Sequence, residues 1–236
     1  MSPTRTSPSG GGSLLSNTGS SGSNTVSSLT SVLKRAISVE ELSENSWLSS
    51  SVIDLVFSKF AKYYRNVEYL SIDFILLALN NHNNNNFEGV TDILGQTLRY
   101  NHSRPIVLLC NNNSIHWTLI RIQYLPEPTI QLFEPMGKPQ HRNGQLSYRD
   151  VPRDLVRWLD TCCPLADNKS WLAVTSSAIT KQHQFTSFDC GVACLLYAEK
   201  CGLGQDKKDI NDETSQEHIT EYRKVLQEYI NKQKRS

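Results

Sequence analysis

The stretch QFTSFDCGVACLLYAEK, residues 184–200, sets one cysteine directly before a glycine and then runs into an apolar, helix-like pattern. A thiol at a helix N-terminus feels the positive end of the helix dipole and several unpaired N–H groups, which favour thiolate over thiol. The thiolate is the nucleophile, so Cys190 is the first candidate for chemistry. A free cysteine also serves as a small buried hydrophobe, and Cys190 gains weight as a nucleophile only if a base and a polarising group lie within its reach.

Two segments supply them. SIHWTLIRIQY (114–124) and TIQLFEP (129–135) read as strands joined by a tight LPEP connection. In such a hairpin residues 116 and 134 fall opposite or diagonally opposite, and because side chains alternate along a strand the two share a face. His116 beside Glu134 is an oriented base: the carboxylate accepts one ring N–H, fixes the tautomer and stabilises the imidazolium, leaving the other nitrogen to activate a nucleophile. Gln184, six residues before Cys190, can offer its amide to a developing oxyanion. Taken singly, a strand histidine fits a structural role and Glu134 fits a simple ion pair; together they outline a His–Glu–Cys site. Cys190 and Cys194 stand one helical turn apart, but no second ligand pair follows at zinc spacing, so no metal and no cofactor is expected. Cys162 and Cys163 read as packing.

The remaining elements must hold these groups together. WLSSSVIDLVFSKFAKYY places Leu48, Val52, Ile53, Val56, Phe57 and Phe60 at spacings of three and four, which predicts an amphipathic helix. Ser38 and Glu41 fit a capping box opening a short helix over 39–44. PIVLLC (105–110) reads as a buried strand, RDLVRWLDTCC and Gly191–Lys200 as helices, and HITEYRKVLQEYINKQKR as a polar-faced C-terminal helix. The pattern predicts an α+β fold with helices around a small, mainly antiparallel sheet. NNHNNNNF (80–87) and NNNS (111–114) read as surface loops.

The first 35 residues are dominated by Ser, Gly, Thr and Asn and hold too little apolar surface to offset the entropy of ordering, so 1–35 is expected as a disordered tail and 36–236 as the catalytic domain. With 236 residues and a net charge of +1, the chain gives no electrostatic case for nucleic acid. No stretch approaches the roughly 18 consecutive apolar residues of a membrane span. Six cysteines without a signal-like apolar core in residues 1–30 predict free thiols and an intracellular protein of cytoplasm or nucleus, with an organelle transit peptide as the lesser reading of the acid-poor N-terminus.

The order H-W, then a carboxylate, then Q-x5-C-G resembles the cysteine proteases that process ubiquitin-like modifiers, the Ulp/SENP family, which is related to the adenovirus protease. The resemblance runs from about Ile37 to Cys201. It implies a papain-like fold of the Ulp/adenain type, with His116 as base, Glu134 as its orienter, Gln184 as oxyanion donor and Cys190 as nucleophile. The family opens its domain with W-L-N-D, matched here by Trp47 and Leu48, and by resemblance Trp47 and Trp117 enclose a narrow tunnel for a Gly-Gly tail. The implied partner is a ubiquitin-like modifier of the SUMO, NEDD8 or ubiquitin class and its conjugates, the implied enzyme a monomer. Glu134 stands where most members have Asp, Ser49 and Ser50 replace the Asn and Asp of W-L-N-D, and Thr186 and Ser187 replace the Asn and Gly before the nucleophile. Two other readings share the residues: an effector-type acetyltransferase using the same His–Glu–Cys set, and an inactive module that binds a modifier without cutting it.

Overall fold

The computed structural model describes residues 43, 46–70, 103–112, 116–137, 151, 155–156, 159–160, 165, 169–175, 187–205, 210–211 and 213–235. Helix α1 spans Ser50–Tyr63. Its start is set by Ser49, whose backbone is extended and whose hydroxyl accepts the Val52 N–H, satisfying one of the free donors of the first turn. Val52, Ile53, Val56, Phe57 and Phe60 form the buried stripe that their spacing predicts.

The sheet has five strands in the order β1 (Glu68–Leu70), β2 (Ile106–Asn112), β3 (His116–Gln123), β4 (Thr129–Phe133) and β5 (Leu172–Thr175). The three strands read from the sequence form its antiparallel centre, β2–β3–β4. The short outer strands β1 and β5 pair parallel to β2 and β4 and make the sheet mixed; at three and four residues they carry too little periodicity to stand out in the sequence. The NNNS segment is a correction: Asn111 and Asn112 are not loop but the last residues of β2, held by pairing with Trp117 and His116. Its remaining residues lie outside the described ones, as do 80–87, the 39–42 part of the predicted first helix, the 1–35 segment and Cys162–Cys163. Of the helix predicted over 153–163, the described residues Leu155, Val156, Leu159 and Asp160 are helical.

Sheet alternation divides the core in two. Val107, Leu109, Trp117, Leu119 and Phe133 face one cluster with α1 and two further helices, α2 (Cys190–Gly202) and α3 (Gln216–Arg235). Ile106, Leu108, Ile120, Ile122, Ile130 and Leu132 face the other, with Leu155, Leu159 and Trp171. Helix α2 is buried from Cys190 through Ala198, as a helix apolar all round must be, and lies at the centre of the first cluster.

The end of α2 is closed by phenols. The Tyr64 hydroxyl donates to Glu199 Oε1 (2.9 Å) and the Tyr69 hydroxyl to the Ala198 carbonyl (3.1 Å). These rings leave room only for a glycine: a Cβ on Gly202 would lie 2.6 Å from Tyr64 Cγ and against the Tyr69 hydroxyl. Gly202→Ala is expected to lower unfolding free energy by about 1–3 kcal/mol, the usual cost of overpacking, as read by urea denaturation.

Candidate active site

Cys190 is the first residue of α2, reached through a single 3-10 turn, Ser187–Asp189. The helix continues from that turn, and the apolar run from Gly191 onward buries every turn through Ala198. The thiol is fully sheltered, at 0 % exposure, and its sulfur accepts the backbone N–H of Trp117 at 3.4 Å. One turn on, Cys194 Sγ donates to the carbonyl of the same residue at 3.5 Å. The two thiols thus grip both backbone groups of Trp117 and dock the start of α2 on the start of β3. Burial pushes the Cys194 thiol well up, consistent with a neutral packing donor.

His116 opens β3, and the register pairs Leu119 with Phe133 and Ile120 with Leu132, which sets 116 diagonally across from 134. Both even positions lie on one face, as alternation predicts. His116 Nε2 and Glu134 Oε1 are 2.5 Å apart, with His116 half-buried and Glu134 buried. Glu134 follows the end of β4 in a tight turn with Pro135 second and Gly137, at φ 76°, fourth; the Gly137 N–H closes it on the Glu134 carbonyl at 2.9 Å. The Met136 N–H donates to the same carboxylate oxygen at 3.1 Å, so the turn itself aims the carboxylate at the ring.

With Nε2 committed to Glu134, Nδ1 is left for Cys190. Hydrogen bonding to Cys190 first and to Glu134 second raises the His116 pKa from 6.5 to about 10, against a burial effect that lowers it. The ring holds its proton across neutral pH. A histidine raised in the folded state contributes stability that is complete below 6.5 and is lost as pH climbs through about 10. The stability advantage of wild type over His116→Gln is therefore expected to be largest near pH 6 and to shrink steadily to pH 10, as read by denaturant midpoints across that range.

The two tryptophans occupy different positions. Trp47 is 42 % exposed, whereas Trp117 is 2 % exposed, its indole N–H donating to the Leu48 carbonyl at 3.1 Å. Gly191 makes this closeness possible: a Cβ there would sit 3.0 Å from Trp117 Cδ1 and 3.2 Å from Leu48 Cβ. Trp117 therefore ties the segment carrying Trp47 to α2. Gln184 lies outside the described residues.

Sequence reasoning missed two groups beside Cys190. Asp189 and Arg223 form a buried ion pair, with Arg223 Nη2 2.7 Å from Asp189 Oδ1. The signal was present in α3: Arg223 stands on the same stripe as buried Ile219, Leu226 and Ile230, where a cation needs a partner.

No protein-family model matches the sequence, and no curated protein matches it. Solved structures do. One of SUMO protease Ulp1, with its catalytic cysteine oxidised to a sulfenic acid, superposes with a TM-score of 0.60 at 14% identity, covering 92% of this chain and 96% of that one. The C-terminal Ulp1 protease domain in complex with Smt3, the yeast ortholog of SUMO, gives 0.53 at 12% identity over 92% and 96%. The ASFV pS273R protease gives 0.50 at 14% identity over 85% and 78%. The sheet, the three packed helices and these superpositions agree: the chain has the papain-like fold of the Ulp type that its H-W and Q-x5-C-G segments suggested.

Proposed function

We propose that the chain is a cysteine protease that cleaves after the C-terminal glycine of a ubiquitin-like modifier, releasing it from a precursor or from a target lysine. The observation that carries the reading is His116 set between Glu134 and Cys190, at the N-terminus of a buried helix. The Ulp1–Smt3 complex among the structural neighbours supports a modifier of the SUMO class first, with NEDD8 and ubiquitin as further candidates.

In this mechanism the proton shared between Cys190 and His116 rests on the ring, and the Cys190 sulfur attacks the glycine carbonyl, forming a C–S bond while the π electrons move to oxygen. The oxyanion is held by the backbone N–H of Cys190 and by the Gln184 amide. As the tetrahedral intermediate collapses, His116 gives its proton to the departing amine, leaving a thioester. Water, losing a proton to His116, hydrolyses that thioester and frees the Cys190 sulfur with the proton back on the ring. Glu134 keeps the ring in the useful tautomer throughout. A nucleophile with no exposed surface favours a substrate whose end is thin, and a Gly-Gly tail has no side chain to exclude. Trp47 supplies an exposed indole against which such a tail can lie, with Trp117 behind it. Residues 36–236 would form this catalytic domain and 1–35 a tail outside it.

The glutamate in place of aspartate also suits acetyl transfer. The test is a side-by-side assay of fluorogenic amides of SUMO, NEDD8 and ubiquitin against acetyl-CoA consumption with a protein acceptor. Release of fluorophore from one modifier supports the protease. Thiol-dependent loss of acetyl-CoA with no cleavage would assign the site to acyl transfer from the cofactor, and binding of a modifier, unchanged in Cys190→Ala and without turnover, to an inactive module.

A further inference from the structure

Arg223 projects from α3 toward the start of α2, where its guanidinium makes four hydrogen bonds and an ion pair. Nε and Nη2 reach Asp189 Oδ1 at 2.8 and 2.7 Å, and Nη2 also reaches the Phe188 carbonyl at 3.1 Å. Nη1 donates to the carbonyls of Ser43 (3.2 Å) and Ser46 (3.0 Å). The guanidinium lies 5.3 Å from the Phe188 ring centroid. Gln216 Nε2 takes the other Asp189 oxygen at 2.9 Å. One side chain therefore holds the residue before the nucleophile and the residue before Trp47.

The arrangement departs from helix chemistry in one respect. Aspartate at a helix cap normally turns its carboxylate onto the N–H groups of the first turn. Asp189 precedes α2 as the last residue of the 3-10 turn, with φ −86° and ψ −4°, and makes no such bond, its oxygens being held by Arg223 and Gln216. A carboxylate turned onto the next N–H groups, those of Gly191 and Val192, would set its negative charge beside the Cys190 N–H that holds the oxyanion and oppose the charge that forms there.

We infer that Arg223 is a positioning residue for the reaction: it holds the Asp189 carboxylate off the N-terminus of the nucleophile helix and, through the Ser43 and Ser46 carbonyls, fixes the Trp47 wall that receives the substrate tail. The inference rests on the protease reading for its substrate, but the effect on Cys190 does not. A lysine cannot replace the fork, because it lacks the planar set of five donors.

The test compares wild type, Arg223→Gln, Arg223→Lys and the double variant Arg223→Gln/Asp189→Ala, each confirmed folded at the assay temperature by circular dichroism. On the fluorogenic modifier, both single variants are expected to lose about a hundredfold in kcat/KM, the scale of a misplaced site, with kcat lowered and KM raised. The double variant is expected to regain about tenfold in kcat, since the released carboxylate is gone, while KM stays raised because the Ser43 and Ser46 contacts are still lost. A purely structural role would make the double variant no better than the single one, and that result overturns the inference, as does wild-type behaviour in Arg223→Gln. A second arm needs no modifier: iodoacetamide labelling of Cys190, followed by peptide mass mapping, should slow in Arg223→Gln and recover in the double variant. If wild type cleaves no modifier, the protease reading fails while this arm still decides the clamp: slowing with recovery upholds it, and equal labelling in all variants overturns it. Should Arg223→Gln prove unfolded, Arg223→Lys with and without Asp189→Ala carries the same comparison.

Discussion

Cys190→Ala is expected to remove turnover almost completely, lowering kcat by about 10⁶, the loss seen when the nucleophile of a coupled catalytic set is deleted. The variant should remain folded. Alanine is smaller and apolar, and the site is buried in a cluster that includes Val192, Ala193, Leu195 and Phe133. What the variant forfeits structurally is one acceptor for the Trp117 N–H, worth about 1–3 kcal/mol if that donor stays unpaired. His116→Ala removes the only ring bonded to the thiol among the described residues and should be comparably inactive. Stopped-flow and long-time assays on a glycine-terminated fluorogenic substrate, with circular dichroism on the same samples, separate lost chemistry from lost fold. A Cys190→Ala protein that retains a tenth of the wild-type rate would remove Cys190 from the mechanism.

The second large effect belongs to Glu134. Glu134→Gln keeps size and hydrogen-bonding capacity but replaces an acceptor-only carboxylate by an amide, which can present its NH₂ to the ring and select the wrong tautomer. The expected loss is about 10⁴ in kcat with little change in KM, as for an orienting acid in other triads. The positive charge on His116 also loses its partner, so its pKa should fall from about 10 toward the ordinary range. The 2.5 Å contact and the bond from the Met136 N–H both fall on Oε1, so an amide turned with its NH₂ there would lose both. Glu134→Asp shortens the arm by one methylene and is expected to recover part of the rate, because the acid is kept and only its reach is reduced. An NMR titration of the His116 ring in wild type and Glu134→Gln gives the protonation change directly, and kinetics on both variants gives its cost.

Much of this site could be read before folding because its residues obey strict local periods. The even spacing between 116 and 134 placed histidine and carboxylate on one face once the hairpin was accepted, and the register confirms the diagonal relation. The apolar run after Cys190 announced a buried helix, and the α1 stripe was complete in the sequence. What escaped was set by distant partners. The three-residue β1 and four-residue β5 exist because β2 and β4 offer them edges, a tertiary fact that no short period encodes. Asn111 and Asn112 look like loop residues by composition, yet the ladder to β3 extends through them. Trp117, read by resemblance as enclosing a narrow tunnel with Trp47, is almost fully covered because Gly191 lets it pack against Leu48 and α2, a closeness that no local period encodes. The role of Arg223 could not be derived from α3 alone, since its acceptors come from residues 43, 46, 188 and 189. A charge on an apolar stripe was the visible clue, and only the fold supplied its partners.

The central claim is that Cys190 is a nucleophile for the glycine end of a ubiquitin-like modifier. Its most direct test is intact-mass detection of adducts after mixing the protein with SUMO, NEDD8 and ubiquitin, each carrying a C-terminal electrophile, with Cys190→Ala as the control. A single covalent adduct with at least one modifier is expected, mapped to Cys190 and absent from the control. A folded wild-type protein that forms no adduct with any of the three, or forms one that persists in Cys190→Ala, would contradict it.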